Sequence, residues 1–462
     1  MYNLEEISTK REIQREMTGM RSNKIKKIIG CALISALVFA SYGCTGTSSG
    51  GNMKMSKSTV SFTDEKVVKA KKTNPYGTGE LSESDEFMTS NEKMLDAQIA
   101  LFKNLADEEK NSMISPISIL TAMSMVENGA KGNTLKEMEE VFGLSNEEMT
   151  KWITAWSSAF TGSKDIKVNL ANSIWFKTGG EGQNSFEPEK AYIDVLGEAF
   201  GARAYGSDFS QNTVDDINGW CDKQTFGMID KIIDKIDPME VAILLNAIAF
   251  DGKWKEEYKS DMVHQETFTN ENGDKEDVNM MYSTEKTYIQ DELATGFVKP
   301  YSEKYSYVAI LPNEGVSVSH YISKMDGKNF ASLLDNQEPA IVHSVLPSYK
   351  SEYFRDDLKD VLCQMGIKDA FDPSAADFTG MGKATSGSLS IGDVIHKTFI
   401  EVNEKGTKAA AVTKIGMKAM SMAPPEMEYT VRLDRPFIYA IVDDATGTPI
   451  FIGTVLSVGQ TN

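Results

Sequence analysis

Cysteine and histidine are scarce in this chain of 462 residues, with four of each. Four cysteines exclude a disulfide scaffold. His264, His320, His343 and His396 are too scattered for a histidine metal site, which needs ligands at helical or hairpin spacing, so no metal or other cofactor is expected. Basic charge is short as well: 48 Lys plus Arg face 67 Asp plus Glu, a formal charge of −19, which argues against nucleic acid as a partner. No internal repeat is visible. What is present is ordinary globular usage, 41% hydrophobic and 25% charged, in a chain long enough to bury a large core. Length alone suggests about three domains, although a large mixed fold can hold roughly 370 residues in one unit.

The N-terminus reads as an address. Arg21, Lys24, Lys26 and Lys27 precede an apolar run from Ile28 to Phe39, and Ser41-Tyr42-Gly43 leads to Cys44. The run is too short for a permanent membrane helix, so residues 1–43 are expected to be a signal peptide, with Met20 a second candidate start. A Thr-Gly-Thr-Ser-Ser-Gly-Gly tether follows Cys44. Cys44 therefore resembles the lipid-modified cysteine of a bacterial lipoprotein, although Ser41 stands where the usual aliphatic residue would be. Plain cleavage with secretion, and retention of the run as a buried segment, stay open beside lipidation. Removing residues 1–43 takes away seven basic and four acidic residues, leaving 41 against 63 and a charge of −22.

Residues 44–84 are rich in Ser, Thr, Gly and Lys and are expected to be a linker, with the folded domain spanning 85–462. Leu95, Ile99, Phe102 and Leu105 share a helical face, and Ser115-Pro116 opens a second helix. Helices are predicted over Thr134–Phe142, Asn146–Phe160, Glu187–Phe200, Val214–Thr225 and Arg355–Met365, with a strand over Val168–Phe176. Val241–Phe250 is a nearly unbroken apolar run, which predicts a central strand covered on both faces. Asn272-Gly273 marks a hairpin between Thr267–Thr269 and Val278–Tyr282. Further strands are predicted at Tyr305–Leu311, Ala340–Leu346, Thr398–Val402, Met427–Leu433, Phe437–Val442 and Ile450–Val455. Helices early and strands late indicate an α+β fold with large, mostly antiparallel sheets. Cys221 and Cys363, both on helical patterns, are expected to be buried thiols rather than a bridge.

No catalytic constellation emerges. Gly46-Thr47-Ser48-Ser49-Gly50 has hydrolase spacing but lies in the tether. Gly380-Met381-Gly382-Lys383 lacks the first glycine of a phosphate loop, Asp377 standing in its place. Asp443-Asp444 beside Gly447 is expected to be a solvated hairpin turn. What stands out is the stretch after Glu401-Val402-Asn403: a run of small and β-tolerant residues from Gly406 to Thr413 without apolar bulk, then a Lys, Gly, Met, Ser and Pro mixture to Pro425. A connection this long inside a compact domain is usually functional or disordered.

These residues resemble the serpin family from about residue 88 to the C-terminus. The matches are Asn111–Ile119; Ile217-Asn218 with Trp220, Thr225 and Ile229; Leu245-Asn246 through Phe250 with Gly252, Lys253 and Trp254; Leu346-Pro347; Leu362–Ile367 with Phe371; Asp377-Phe378; the hinge Glu404–Thr413; Arg435-Pro436-Phe437; and Phe451-Ile452-Gly453. The resemblance implies three mostly antiparallel sheets, eight or nine helices and an exposed reactive loop. It implies a monomeric, extracellular inhibitor of serine proteases and not an enzyme: the target protease cuts the loop, forms a covalent acyl complex, and is carried away as the loop inserts as a strand. A non-inhibitory serpin-fold binding protein is the alternative.

The residues bear on insertion directly. Thr407, Ala409, Ala411, Thr413, Ile415, Met417 and Ala419 fall on one parity and are uncharged, whereas Lys408, Ala410, Val412, Lys414, Gly416 and Lys418 fall on the other. No proline occurs before Pro424. Family spacing, sixteen residues beyond Glu404, places the scissile bond at Met420–Ser421, with Lys418 the competing residue. Met suits an elastase-like or chymotrypsin-like pocket; Lys418 would suit a trypsin-like one. The resemblance further assigns Ser115, Ser118, Asn246 and His396 to a polar cluster beneath the parting strands, and Trp254 to the place where insertion begins.

Overall fold

The computed structural model describes residues 84–179, 185–385, 387–407 and 427–459, together with 75–76, 81 and the backbone of 31–42. Nine α-helices lie among them: α1 (Asp85–Leu105), α2 (Pro116–Glu127), α3 (Gly132–Phe142), α4 (Asn146–Ala159), α5 (Lys190–Phe200), α6 (Gln211–Gln224), α7 (Val318–Lys324), α8 (Gly327–Asp335) and α9 (Leu358–Met365). Local chemistry explains their ends. Ser84 caps α1 by accepting from the Phe87 amide, Ser115 caps α2 with Pro116 as its first residue, and Ser145 with Glu148 forms a reciprocal capping box on α4. Gly143 ends α3 at φ 69°, a left-handed conformation that a residue with a Cβ adopts at a cost. Trp152, Trp156 and Phe160, four apart, fall on one stripe and stack at 5.9 and 4.9 Å, with Phe87 of α1 on Trp152 at 5.6 Å.

The main sheet has seven strands: β1 (Cys31–Tyr42), β2 (Ile166–Lys177), β3 (Arg203–Ser207), β4 (Glu240–Lys253), β5 (Tyr349–Arg355), β6 (Ser388–Val402) and the two-residue β7 (Gly406–Thr407). Their order is β5-β6-β1-β4-β2-β3, with β7 also on β4. Every residue of β4 is buried except half-buried Lys253, because α2 packs near one face while Val214, Ile217 and Cys221 of α6 join Leu245, Ala247 and Ala249 in a cluster on the other. At roughly 1.5–3 kcal/mol for each large apolar side chain removed from water, this strand is a principal anchor of the fold.

A nine-stranded sheet runs Glu428–Arg432, Glu338–Pro347, Lys275–Gln290, Ala294–Pro300, Tyr305–Pro312, Phe437–Asp443, Pro449–Val455, Met113–Ile114, with Val263–Thr269 on Lys275–Gln290. A third pairs Phe186–Pro188 with Gly382–Ala384. Pairing is antiparallel except for β2 with β3 and Glu338–Pro347 with Glu428–Arg432. The α+β expectation and its three sheets are met.

Details differ. The helix expected from Arg355 begins at Leu358, because Tyr349–Arg355 alternates buried and exposed residues as an edge strand of the main sheet. The expected strand at Thr398 starts ten residues earlier, at Ser388. Tyr76 packs edge-on against Phe87 at 5.2 Å and Leu81 is buried, so the packed body takes in residues ahead of Asp85. Asp443 is not solvated: it is buried, its carboxylate accepts from the Ala445 amide, and burial pushes its pKa up to about 6. Cys221 is a buried free thiol, as expected, while Cys363 is only partly buried.

Candidate functional site

The site is the lane between β4 and β6. These two strands run parallel to each other, and β1 lies between them, antiparallel to both. It pairs with β4 from Cys31–Phe250 to Ala40–Glu240, and with β6 from Ala32–Phe399 to Tyr42–Ser388. The segment expected to be the hydrophobic stretch of a leader is thus the central strand of the main sheet in the full chain.

Halfway along the lane a polar row crosses five strands. Arg355 pairs with His396, His396 with Ser35, Ser35 with Asn246, and Asn246 with Asn172. Beneath it sits the N-terminus of α2. The Ser118 hydroxyl donates to Asn246 Oδ1, Asn246 Nδ2 donates to Asn172 Oδ1 at 2.7 Å, and Asn172 Nδ2 donates to the Phe200 carbonyl at 2.8 Å. The Ser115 amide donates to His396 Nε2 at 3.4 Å, while its hydroxyl accepts from the Ser118 amide. Ser115, Ser118, Asn246 and His396, expected together, do come together, all fully buried. Burial, with a smaller push from the Arg355 charge, holds the His396 pKa down to about 3, so the imidazole is neutral and Nε2 accepts. Sequence reading missed Asn172. Its signal was an amide inside a strand that runs on into Ile174, Trp175 and Phe176, and a buried amide requires partners.

The upper end of the lane is the hinge. β6 ends at Val402, and Asn403–Gly406 reverses the chain through paired bonds of 3.1 and 3.3 Å, with Asn403 Oδ1 accepting from the Lys405 amide at 3.0 Å. Gly406 (φ 141°) then pairs with Lys253, where an added Cβ would lie 2.3 Å from the Gly252 carbonyl oxygen, so only glycine fits this approach. Thr407 pairs with Gly252, is fully buried, and has its hydroxyl 2.7 Å from Tyr301 Oη.

Trp254 roofs this turn. Its indole donates to the Asn403 carbonyl at 2.9 Å and its amide to the Lys405 carbonyl at 3.2 Å, while the Tyr258 amide donates to the Glu404 carbonyl at 2.9 Å. Tyr301 stacks on Trp254 with centroids 4.5 Å apart. Below, Lys299 and Glu285 form a buried ion pair at 2.7 Å, with the ammonium 4.2 Å from the Tyr258 ring. Tyr301, Lys299 and Glu285 were not singled out from sequence, since only folding brings them to the hinge. Ala409, Ala410, Ala411, Thr413, Lys418, Met420, Ser421 and Cys44 lie outside the described residues.

Comparison with known proteins finds relatives over most of the chain. The family model described as Serpin (serine protease inhibitor) matches residues 93–458. The leukocyte elastase inhibitor of Homo sapiens is 31% identical over 377 residues, 78% of this chain and 96% of that protein. A serine protease inhibitor of Cyanea capillata is 32% identical over 369 residues, 75% of this chain and 92% of that protein. The crystal structure of the thermophilic serpin tengpin in its native state superposes with a TM-score of 0.73 at 42% identity, covering 79% of this chain and 94% of that one. Tengpin in its latent state gives 0.70 at 39% identity, covering 81% and 98%.

Proposed function

The chain belongs to the serpin family, whose members generally inhibit proteases and are not catalytic enzymes, and from that premise we propose that this protein inhibits serine proteases as a suicide substrate. The observation that carries the reading is the hinge. Gly406 and Thr407 leave β6 through a tight turn and enter the lane antiparallel to β4, with Thr407 buried at its mouth. The loop that follows keeps every lysine on the opposite parity, so continued insertion places no charge on the inward face.

In this reading the protease serine attacks the Met420 carbonyl carbon. The bond to the Ser421 nitrogen breaks, that amine leaves with a proton from the protease, and an ester joins the two proteins. Insertion then draws the ester along the lane, about 50 Å for the fifteen residues from Gly406 to Met420 at roughly 3.3 Å each. Met420, and the elastase inhibitor named among the relatives, support an elastase-like or chymotrypsin-like target. The protein is proposed to act as a monomer after export, held to a membrane by lipid on Cys44. Incubating the chain from Cys44 onward with elastase-like and trypsin-like proteases tests the reading. An SDS-stable complex with the former is expected, and loop cleavage with full recovery of every protease would overturn it in favour of a non-inhibitory serpin.

A further inference from the structure

Two segments of this chain are fitted to one lane. Continuing the hinge pairing one residue at a time, from Thr407 opposite Gly252, puts Ala409 opposite Phe250, Thr413 opposite Asn246 and Met417 opposite Ala242. Those three β4 residues are the partners of Cys31, Ser35 and Phe39 in β1. The direction is the same, the register is the same, and the one hydroxyl residue within Cys31–Ala40, Ser35, stands at the polar row where the loop would bring Thr413. A strand has two hydrogen-bonding edges, so a β4 residue bonded to β1 on its lane side cannot bond there to the loop.

We infer that the apolar N-terminal segment is a competitor of the reactive loop for this lane, and that the full-length chain, while it keeps this segment, is a locked form whose loop cannot insert. Removal of residues 1–43 is then the activating step, coupling inhibition to processing of the leader. The inference rests on the insertion mechanism proposed above.

Composition favours β1 as the occupant. Its twelve residues contain no charge, no glycine and no proline and include Leu33, Ile34, Leu37, Val38 and Phe39. Over the same stretch insertion would bring Ala409 to Lys418, in which Lys414, Lys418 and Gly416 stand beside the β-branched Val412, Thr413 and Ile415. An uncharged strand without glycine has a higher strand propensity than one that carries two lysines and a glycine. The chain can also return from the far end of the lane. From Tyr42 to Tyr76 it has 33 intervening residues, a reach of about 110 Å when extended.

The test uses the full-length chain in a Cys31→Ser background. Ala32 and Ala249 are directly paired, and opposed residues of antiparallel strands lie about 4.5–5.5 Å apart at Cα, within disulfide range. The double variant Ala32→Cys with Ala249→Cys is expected to join on oxidation, and absence of that cross-link overturns the inference. The loop is then nicked and the thermal midpoint compared before and after, because an inserted strand adds a hydrogen-bonded ladder and raises it. Cross-linked chain should show no rise and less than a tenth of the protease complex formed by full-length Leu37→Asp, whose charge disfavours β1 in the lane. A cross-linked chain whose midpoint rises, or which captures protease one to one, overturns the competition. A rise confined to Leu37→Asp, with no complex from any form, supports competition for the lane while removing the inhibitor reading.

Discussion

Replacing Thr407 by arginine tests the insertion mechanism most directly. Thr407 is fully buried, bonded to Tyr301, and lies near Trp254, which stacks on that tyrosine. The nearby buried carboxylate of Glu285 is already paired with Lys299. A guanidinium placed here would be an unpaired buried charge, an effective penalty of several kcal/mol. The position is already occupied in the uncleaved chain, so the variant should both lower the thermal midpoint and hold the hinge out of the lane. If about 1.5 kcal/mol of the penalty enters the insertion barrier, insertion slows about tenfold; about 3 kcal/mol slows it more than a hundredfold. For a parent whose insertion outruns acyl-enzyme hydrolysis by about tenfold, stoichiometry of inhibition rises from near one to about two in the first case and above ten in the second. Titrating a fixed amount of elastase-like protease measures it, with cut inhibitor and active protease as products. Lys408→Glu, on the outward parity, is the control and should stay near one. If Thr407→Arg lowers the midpoint yet captures protease one to one, the loop does not work by entering this lane at Thr407.

The other expectations concern separate parts of the molecule. Mass spectrometry of the C-terminal fragment after protease challenge should find it beginning at Ser421; a start at Ala419 would make Lys418 the recognised residue and remove the elastase-like assignment. The native protein should partition into detergent and Cys44→Ala should release it; a wholly aqueous wild type would identify the leader as an ordinary secretion signal. His396, held to about 3 when folded against about 6.5 unfolded, should contribute stability that is complete above about pH 6.5 and is lost as pH falls towards 3, because the unfolded chain binds the proton first. The slope approaches about 1.4 kcal/mol per pH unit. The difference in stability between wild type and His396→Gln, followed by urea unfolding from pH 7 to 5, isolates this group; no change in that difference would show that His396 titrates normally.

Much of the fold was legible because the burden on each segment was local. Val241–Phe250 had to be apolar on both faces apart from Asn246, since α2 packs on one side and the α6 cluster fills the other, and a nearly unbroken apolar run is the mark of that condition. Ser115-Pro116 and Gly143 announce helix ends because orphan amides and left-handed turns need particular residues within one turn of chain. Asn272-Gly273 marks its hairpin for the same reason, Gly273 having φ 86°. Ala294–Pro300, Tyr349–Arg355, α7 and α8 carry weaker local signals, being short or interrupted, and their neighbours decide them.

The sequence by itself determined which residues could serve: the uncharged parity of the hinge, the glycine at its reversal, the apolar N-terminal run, and a scattered set of polar residues with no local partners. Only the tertiary structure decided what they do together. Arg355, His396, Asn246 and Asn172 lie far apart along the chain yet form one row across the sheet, because strand register, which no local pattern encodes over such separations, sets them at the same height. The same holds for Cys31–Tyr42. A twelve-residue apolar run fits a leader, a buried helix or a covered strand equally well, and its place between β4 and β6 follows from the hydrogen-bonding edges those two strands present to each other, a property of the assembled sheet.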